Sequence, residues 1–297
     1  MNVAYSVQVK RAAFFAVLTA LILILVKGFA WWKTGSVSML ASITDSLLDL
    51  FASFVSMLIL RFALMPADHN HSFGHGKAES LASLAQSAFI SGSAIFLLLQ
   101  GIHRLNAPQA LVNTGMGITV ILFSIIATLL LVTYQARVIK ITDSPAIKAD
   151  RLHYQTDLLM NIAILVSLSL SEFGFIHADA IFAILIALYI ILSAVKMFLD
   201  AVQLLLDIAL PEQEVAQIEQ IILSDKRVLG FHDLRTRRSG AIRFIQLHLE
   251  LDDHLSFLDA HDITDSLEKR LKQAFPRVDI VIHHEPTSVV QAEALNI

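Results

Sequence analysis

The sequence predicts an α-helical membrane protein: six transmembrane helices followed by a cytoplasmic α+β domain. Three observations carry this. Hydrophobic residues make up 56% of the 297 residues and charged residues only 16%, against about 25% charged in an ordinary soluble domain. The imbalance is uneven, because apolar runs fill the chain to about Asp207 and the remainder is as polar as a soluble domain. Six of the runs are long enough to cross a bilayer, which takes about 20 residues.

The predicted spans are 12–32, 39–65, 79–105, 115–134, 146–170 and 178–206. Turn-forming residues punctuate them: Gly35 and Ser36, Pro66 to Lys77, Asn106 to Pro108, Asp143 to Pro145, and Gly174. The first run follows Lys10 and Arg11 and lacks a small-residue cleavage site, so it reads as a retained span. Trp31 and Trp32 close it, where an interfacial aromatic belt is expected. With the N-terminus inside, Lys10, Arg11, Arg61, Lys77, Arg137, Lys140, Lys148 and Arg151 fall on the inner side. Lys27, Lys33 and Arg104 fall on the outer side. The excess favours cytoplasmic N- and C-termini. The expected division is 1–208 for the membrane domain and 209–297 for the cytoplasmic domain with a short C-terminal tail.

The polar remainder reads as αββαβ. Residues 211–224 form an amphipathic helix. Strands at 232–237 and 242–251 flank Ser239 and Gly240, a hairpin turn. Residues 258–275 form a second helix and 278–283 a third strand. That order suggests a small sheet with helices on one face.

Two of the spans carry ionisable residues. Asp45 and Asp49 lie in the second span, and His153 and Asp157 in the fifth. Each pair is spaced i, i+4, so it lies on one helix face. A carboxylate in hydrocarbon is costly, which makes such groups a functional hypothesis by default. Three carboxylates and an imidazole also form a four-ligand shell for Zn²⁺, Fe²⁺, Mn²⁺ or Co²⁺. Helix capping or pairing with Lys and Arg is the plainer explanation, but no basic residue lies mid-span in either segment. Without metal, clustered carboxylates resist ionising and hold protons, and a divalent cation expels them. His153 belongs to the residue type that titrates near physiological pH. Alternating access to such a site would link metal export to proton entry.

Two further groups of candidate ligands lie outside the spans. Asp68, His71 and His75 fall within eight residues of the loop after the second span, and a solvated polar loop is the plainer alternative. The last ninety residues hold His232, His248, His254, His261, His283 and His284, with Glu285 following. Several lie in or beside predicted strands and can converge on a carboxylate-bridged pair of metals; scattered surface histidines are the alternative. The chain has no cysteine, which excludes disulfides and thiolate sites. A net charge of −4 argues against a nucleic-acid partner.

Read together, several motifs resemble the cation diffusion facilitator family, and within it bacterial zinc and iron efflux proteins. They are WWKTGSVSMLAS, ITDSLLD, PADHNHSFGHGKAESLA, LHYQTD, DLRTRRSG and VIHHEP. The resemblance spans nearly the whole chain. It implies a homodimer in the bacterial inner membrane, with six transmembrane helices per protomer and a metallochaperone-like cytoplasmic domain. It implies efflux of divalent cations, chiefly Zn²⁺, driven by protons as counter-substrate, with Zn²⁺ also bound in a structural or regulatory capacity. The transport site would be Asp45, Asp49, His153 and Asp157, and the loop site Asp68, His71 and His75. His232, His248, His261 and His283 would form a binuclear cytoplasmic site bridged by Glu285, where the family pattern has Asp. Lys77 and Asp207 match a charge interlock at the dimer interface.

Other classes are a membrane-tethered metal sensor or buffer, a channel, or an intramembrane metal-dependent enzyme. The last lacks its usual marks, since neither H-E-x-x-H nor G-x-S-x-G occurs. The expectation is therefore a transporter and not an enzyme.

Overall fold

The computed structural model describes residues 3–35, 37–106, 115–173, 175 and 177–294; the side chains of 3, 4, 37–39, 41, 45, 171, 172, 293 and 294 also lie outside the described set. The backbone separates into two units, Val3–Val202 and Gln203–Ile297.

The first unit consists of long helices: α1 (Val3–Thr34), α2 (Val37–Ala63), α3 (Lys77–Asn106), α4 (Gly115–Thr142), α5 (Pro145–Glu172) and α6 (Ala178–Leu205). The shortest has 27 residues. At a rise of 1.5 Å per residue, each reaches about 40 Å or more, enough to cross a bilayer. Helix α1 packs on α2, α4 and α5, α4 packs on α5, and α3 packs on α2 and α5. Ile90 and Ala94 of α3 meet Ile190 and Ala194 of α6.

Lipid tails are as apolar as leucine, so helices in a bilayer associate by close packing and not by hydrophobic exclusion. The buried positions are accordingly small. Ala12, Ala13, Ala16 and Ala20 line one stripe of α1, and Ala180, Ala183, Ala187 and Ala194 line one stripe of α6. At Gly101 of α3, a Cβ would stand 2.8 Å from Ile184 of α6, so only glycine permits this approach. Large apolar side chains such as Leu130, Leu185 and Leu192 are exposed on the outside of the bundle.

Among the described residues, five helices are long and apolar enough to read as spans on their own. Helix α5 is the departure from the six apolar runs expected. Its first half carries Lys148, Asp150, Arg151, His153 and Asp157, which dilute its hydropathy, yet Asp150 and His153 are buried within the bundle.

The end of the bundle near the start of α1, α3 and α5 is sealed by polar pairs. Tyr5 donates to Glu79 at 2.8 Å, and Ser144 donates to the same carboxylate. Gln135 donates to Asp150 at 2.6 Å. Tyr154 donates to the Ala16 carbonyl at 3.0 Å and shares a hydrogen bond with Ser53 at 2.9 Å.

The second unit runs α7 (Glu212–Leu223), β1 (Gly230–Ser239), β2 (Ile242–Leu251), α8 (Phe257–Ala274), β3 (Val278–Pro286) and α9 (Thr287–Ala294). The sheet order is β1-β2-β3, with β1 antiparallel and β3 parallel to β2. Side chains alternate across a strand. Ile245, Leu247, Leu249 and Leu251 therefore share one face, where they meet Ile218, Ile222, Ile263, Leu267 and Leu271 of the helices. Gly240 takes φ +56 in the hairpin turn, a left-handed conformation that costs glycine little. Ser256 caps α8 by accepting from the Asp259 amide at 3.2 Å.

Two features depart from the αββαβ expectation. Strand β1 is longer than expected, because a register shift between His232 and Arg235 lets pairing continue on both sides. Asp233 takes φ +51 within that shift. Helix α9 replaces the expected tail; the Asp253 carboxylate accepts from the Ser288 amide at 3.0 Å, and Thr287 donates to the Leu251 carbonyl at 2.9 Å.

Candidate metal centres

Three clusters of metal-ligating side chains form among the described residues, each with ligand atoms within 4.8 Å of one another. The first is Asp49, His153 and Asp157, between α2 and α5. The i, i+4 step brings His153 and Asp157 onto one face of α5, and α2 supplies Asp49. Asp45 precedes Asp49 by one turn on α2, and its side chain lies outside the described residues. His153 Nε2 stands 3.1 Å from Asp49 Oδ1, but that buried nitrogen has no hydrogen bond. The approach is close without hydrogen-bond direction. A tetrahedral ion with bonds near 2.0 Å would hold neighbouring ligand atoms about 3.3 Å apart.

A cavity of about 750 Å³ adjoins this cluster. Asp49, His153, Thr156, Asp157 and Asn161 line it. Ser42 and Ser46 of early α2 and Gln100 of late α3 extend it toward the end of the bundle that carries the α1–α2 connection. Toward the other end, Tyr154 and the polar pairs described above close the packing.

The loop cluster is Asp68, His71 and His75. The Asp68 carboxylate accepts from the amides of Asn70 at 2.9 Å and His71 at 2.7 Å, which folds the loop back on itself. The amide of His71 beside Asp68 holds its carboxyl below the usual carboxylate range. Gly74 turns the chain at φ +78, and the His71 and His75 rings then lie 4.4 Å apart. Asp68 is 3.3 Å from His71 Nδ1 and 3.4 Å from His75 Nε2. His75 is buried against the Phe62 ring at 4.5 Å.

The third cluster is built on strand register. His232 pairs with His248, and His248 pairs with His283, so one row of imidazoles crosses the sheet. Two residues further along, Glu250 pairs with Glu285, and the two-residue period puts both on the same face as the row. Glu285 offers one oxygen to each side: Oε2 lies 3.2 Å from His232 Nε2, and Oε1 lies 3.1 Å from His248 Nδ1. His283 Nδ1 is 3.8 Å from the same Oε1. His248 Nδ1 and Glu285 Oε2 are buried without hydrogen bonds.

The remaining expected ligands stand apart from these groups. His261 is exposed on α8, and no cluster of three includes it. His284 falls on the opposite face of β3 from His283, with its ring 6.2 Å from that of Phe257. His254 is exposed in the turn before α8. Lys77 opens α3 in the first unit, whereas Asp207 lies in the second, where it accepts from Arg237 at 3.4 Å.

Two residues that bear on these sites were missed in the sequence. Glu250 Oε1 accepts a hydrogen bond from His232 Nδ1 at 3.0 Å, which orients that ring and leaves Nε2 facing Glu285. Gly230 makes room for it, because a Cβ there would stand 2.6 Å from Glu250 Oε2. Glu250 sits two places after His248, a spacing that signals a shared strand face. The second is Lys27, counted above only as an outer-side charge. It lines the membrane cavity and donates to Ser46 Oγ at 2.6 Å. No sequence signal places it there, because its i±3 and i±4 neighbours on α1, Leu23, Ile24, Ala30 and Trp31, carry no charge or metal ligand.

The comparisons with known proteins agree with this architecture. The family profile described as the cation efflux transmembrane domain matches residues 13–206, and the profile for the cation efflux protein cytoplasmic domain matches residues 210–287. The chain belongs to the cation diffusion facilitator family. It is 53% identical to the cation-efflux pump FieF of Yersinia enterocolitica over 293 residues, covering 99% of this chain and 98% of that protein. It is 51% identical to cation-efflux pump FieF of Escherichia coli K12 over 293 residues, with the same coverage. Among solved structures, the metal-bound C-terminal domain of the CzcD transporter from Thermotoga maritima is 28% identical, with a TM-score of 0.24, covering 26% of this chain and 95% of that one. The family's relatives are named as pumps and not as enzymes. The family assignment and the apolar helices make this a multi-pass membrane protein of cation efflux.

Proposed function

We propose that the chain exports divalent transition metal, chiefly Zn²⁺, in exchange for protons, at a site formed by Asp49, His153 and Asp157 with Asp45 as fourth ligand. The observation that carries this reading is the convergence of three ligand side chains inside an apolar helix bundle, beside a cavity. A buried charge in a bilayer needs a partner. A visiting dication supplies one, and protons supply it when the metal leaves. Oxygen and nitrogen donors suit Zn²⁺, with Fe²⁺ and Cd²⁺ as competitors.

The cavity lining extends to Ser42 of α2 and Gln100 of α3, toward the end that carries the α1–α2 connection, while buried polar pairs close the packing toward the other end. With the N-terminus inside, as the distribution of Lys and Arg favours, this is the arrangement for release outward. Alternating access would then require the Tyr5–Glu79–Ser144 and Gln135–Asp150 pairs to part. The chain works as a homodimer in a bacterial inner membrane with both termini in the cytoplasm. In the cytoplasmic domain, Glu285 bridges two ions held among His232, His248 and His283, and His261, which stands apart on α8, would have to approach the row to join them. The loop cluster of Asp68, His71 and His75 binds a further ion.

Flux in sealed vesicles tests the reading. Reconstituted protein should move Zn²⁺ in proportion to an imposed pH gradient, and Asp157→Ala should reduce flux to background while the cytoplasmic sites still load. Unchanged flux in Asp157→Ala would refute the site. Metal movement indifferent to the pH gradient would refute the exchange.

A further inference from the structure

Resting on the proposed transport site, we infer that Lys27 is a tethered cation that loosens the site's hold on metal from the cavity side. It is the one Lys or Arg among the described residues lining that cavity. Other basic residues toward the same end have compensating partners. Arg104 pairs with Asp179 at 2.5 Å, and Lys33 lies 4.9 Å over the Trp32 ring. Lys27 donates to Ser46 Oγ at 2.6 Å and to the Ser42 carbonyl at 3.4 Å. Neither of these acceptors carries a charge.

Ser46 fixes the height of the ammonium. It lies three residues before Asp49 on α2, which is the same helix face and a rise of about 4.5 Å. The ammonium is thus held close to one turn above a metal ligand, in a space that also holds Asp157 and His153. With the site empty, its charge offsets part of the carboxylate field. With a dication in place, the two cations repel across a partly desolvated gap. This repulsion raises the free energy of the occupied site relative to the empty one, so it weakens metal binding in the arrangement that opens to this cavity. The tether to Ser46 keeps the lysine from replacing the metal outright.

Opposite substitutions should therefore move affinity in opposite directions. Lys27→Met should tighten Zn²⁺ binding on the order of tenfold, the scale of a screened repulsion between a unit charge and a dication at this range. Ser46→Ala frees the ammonium to move onto Asp49 and should weaken binding. Lys27→Arg should resemble the parent. The measurement is calorimetric titration of the full-length protein with Zn²⁺, taking as the signal the heat that Asp49→Ala abolishes. If Lys27→Met does not fold, Lys27→Gln serves, and thermal unfolding of each variant is recorded alongside. Opposite shifts in affinity, with Lys27→Arg unchanged, support the inference. Equal affinities, or weakening in both Lys27→Met and Ser46→Ala as expected for a mere brace between α1 and α2, overturn it. If Asp49→Ala abolishes no heat, the transport-site reading itself fails and takes this inference with it.

Discussion

The membrane cluster and the sheet cluster use the same ligand chemistry, imidazole with carboxylate, but reach it through different backbone periods. In the membrane, the four-residue helical step aligns His153 with Asp157, and a second helix brings Asp49. In the sheet, register aligns His232, His248 and His283, and the two-residue period adds Glu250 and Glu285. The surroundings differ as much as the construction. His153 is buried and adjoins a cavity. On the face opposite a packed core, His232 and His248 are half-exposed and His283 is exposed, and Glu250 fixes one ring in advance. A site that must take in and give up its ion needs access and incomplete satisfaction. A site that keeps its ion gains from ligands oriented beforehand.

The largest expected break in this comparison comes from removing the shared carboxylate of the sheet. Glu285→Ala should cost the cytoplasmic domain a hundredfold or so in metal affinity, roughly the upper end for losing a supporting group. Asp157-dependent vesicle flux should remain measurable. Equilibrium dialysis with Zn²⁺ reads the first effect; total loss of flux would mean that the two sites are not separable.

Packing beneath the sheet supports its ligands, so a core cavity should disturb one region alone. Leu267 is fully buried, and Leu267→Ala should destabilise the second unit by about 2–5 kcal/mol. Denaturant melts followed by hydrogen exchange should show the loss in β1 to β3 and spare α1 to α6.

Orientation of His232 gives a smaller and more local effect. Glu250→Gln should weaken cytoplasmic metal binding by roughly tenfold, and Gly230→Ala should act in the same direction by displacing the Glu250 carboxylate. Affinity equal to the parent in both variants would remove Glu250 from the site.

The smallest effect concerns pH. The Arg227 side chain and amide, with Arg270 nearby, pull the Asp225 carboxyl down to about 2. Its pKa is depressed on folding, so its stabilising contribution is complete above the unfolded value of about 3.9 and is lost as pH falls toward 2. Asp225→Asn should therefore lower stability at neutral pH and flatten the acid side of the profile, so that denaturant melts of variant and parent converge as pH falls toward 2.

How far the sequence revealed each region follows from the same periods. The His153 and Asp157 pair was legible because a helix makes i, i+4 neighbours without help from the rest of the chain. The helices-on-one-face sheet was legible because Ile245, Leu247, Leu249 and Leu251 alternate strictly. Strand register was not, since nothing local announces the shift after His232 that sets it opposite His248. Glu250 went unnoticed because its partner is eighteen residues away in sequence, and Lys27 because only tertiary packing turns it into a cavity. Helix α9 went unnoticed because its start is capped by Asp253, on a distant turn.

The most direct measurement is anomalous diffraction at the zinc edge from crystals of the full-length protein grown with Zn²⁺. A peak among Asp49, His153 and Asp157, lost in Asp157→Ala while peaks beside Glu285 persist, is the predicted result. Peaks beside Glu285 alone, with parent and variant indistinguishable in the membrane, would contradict it.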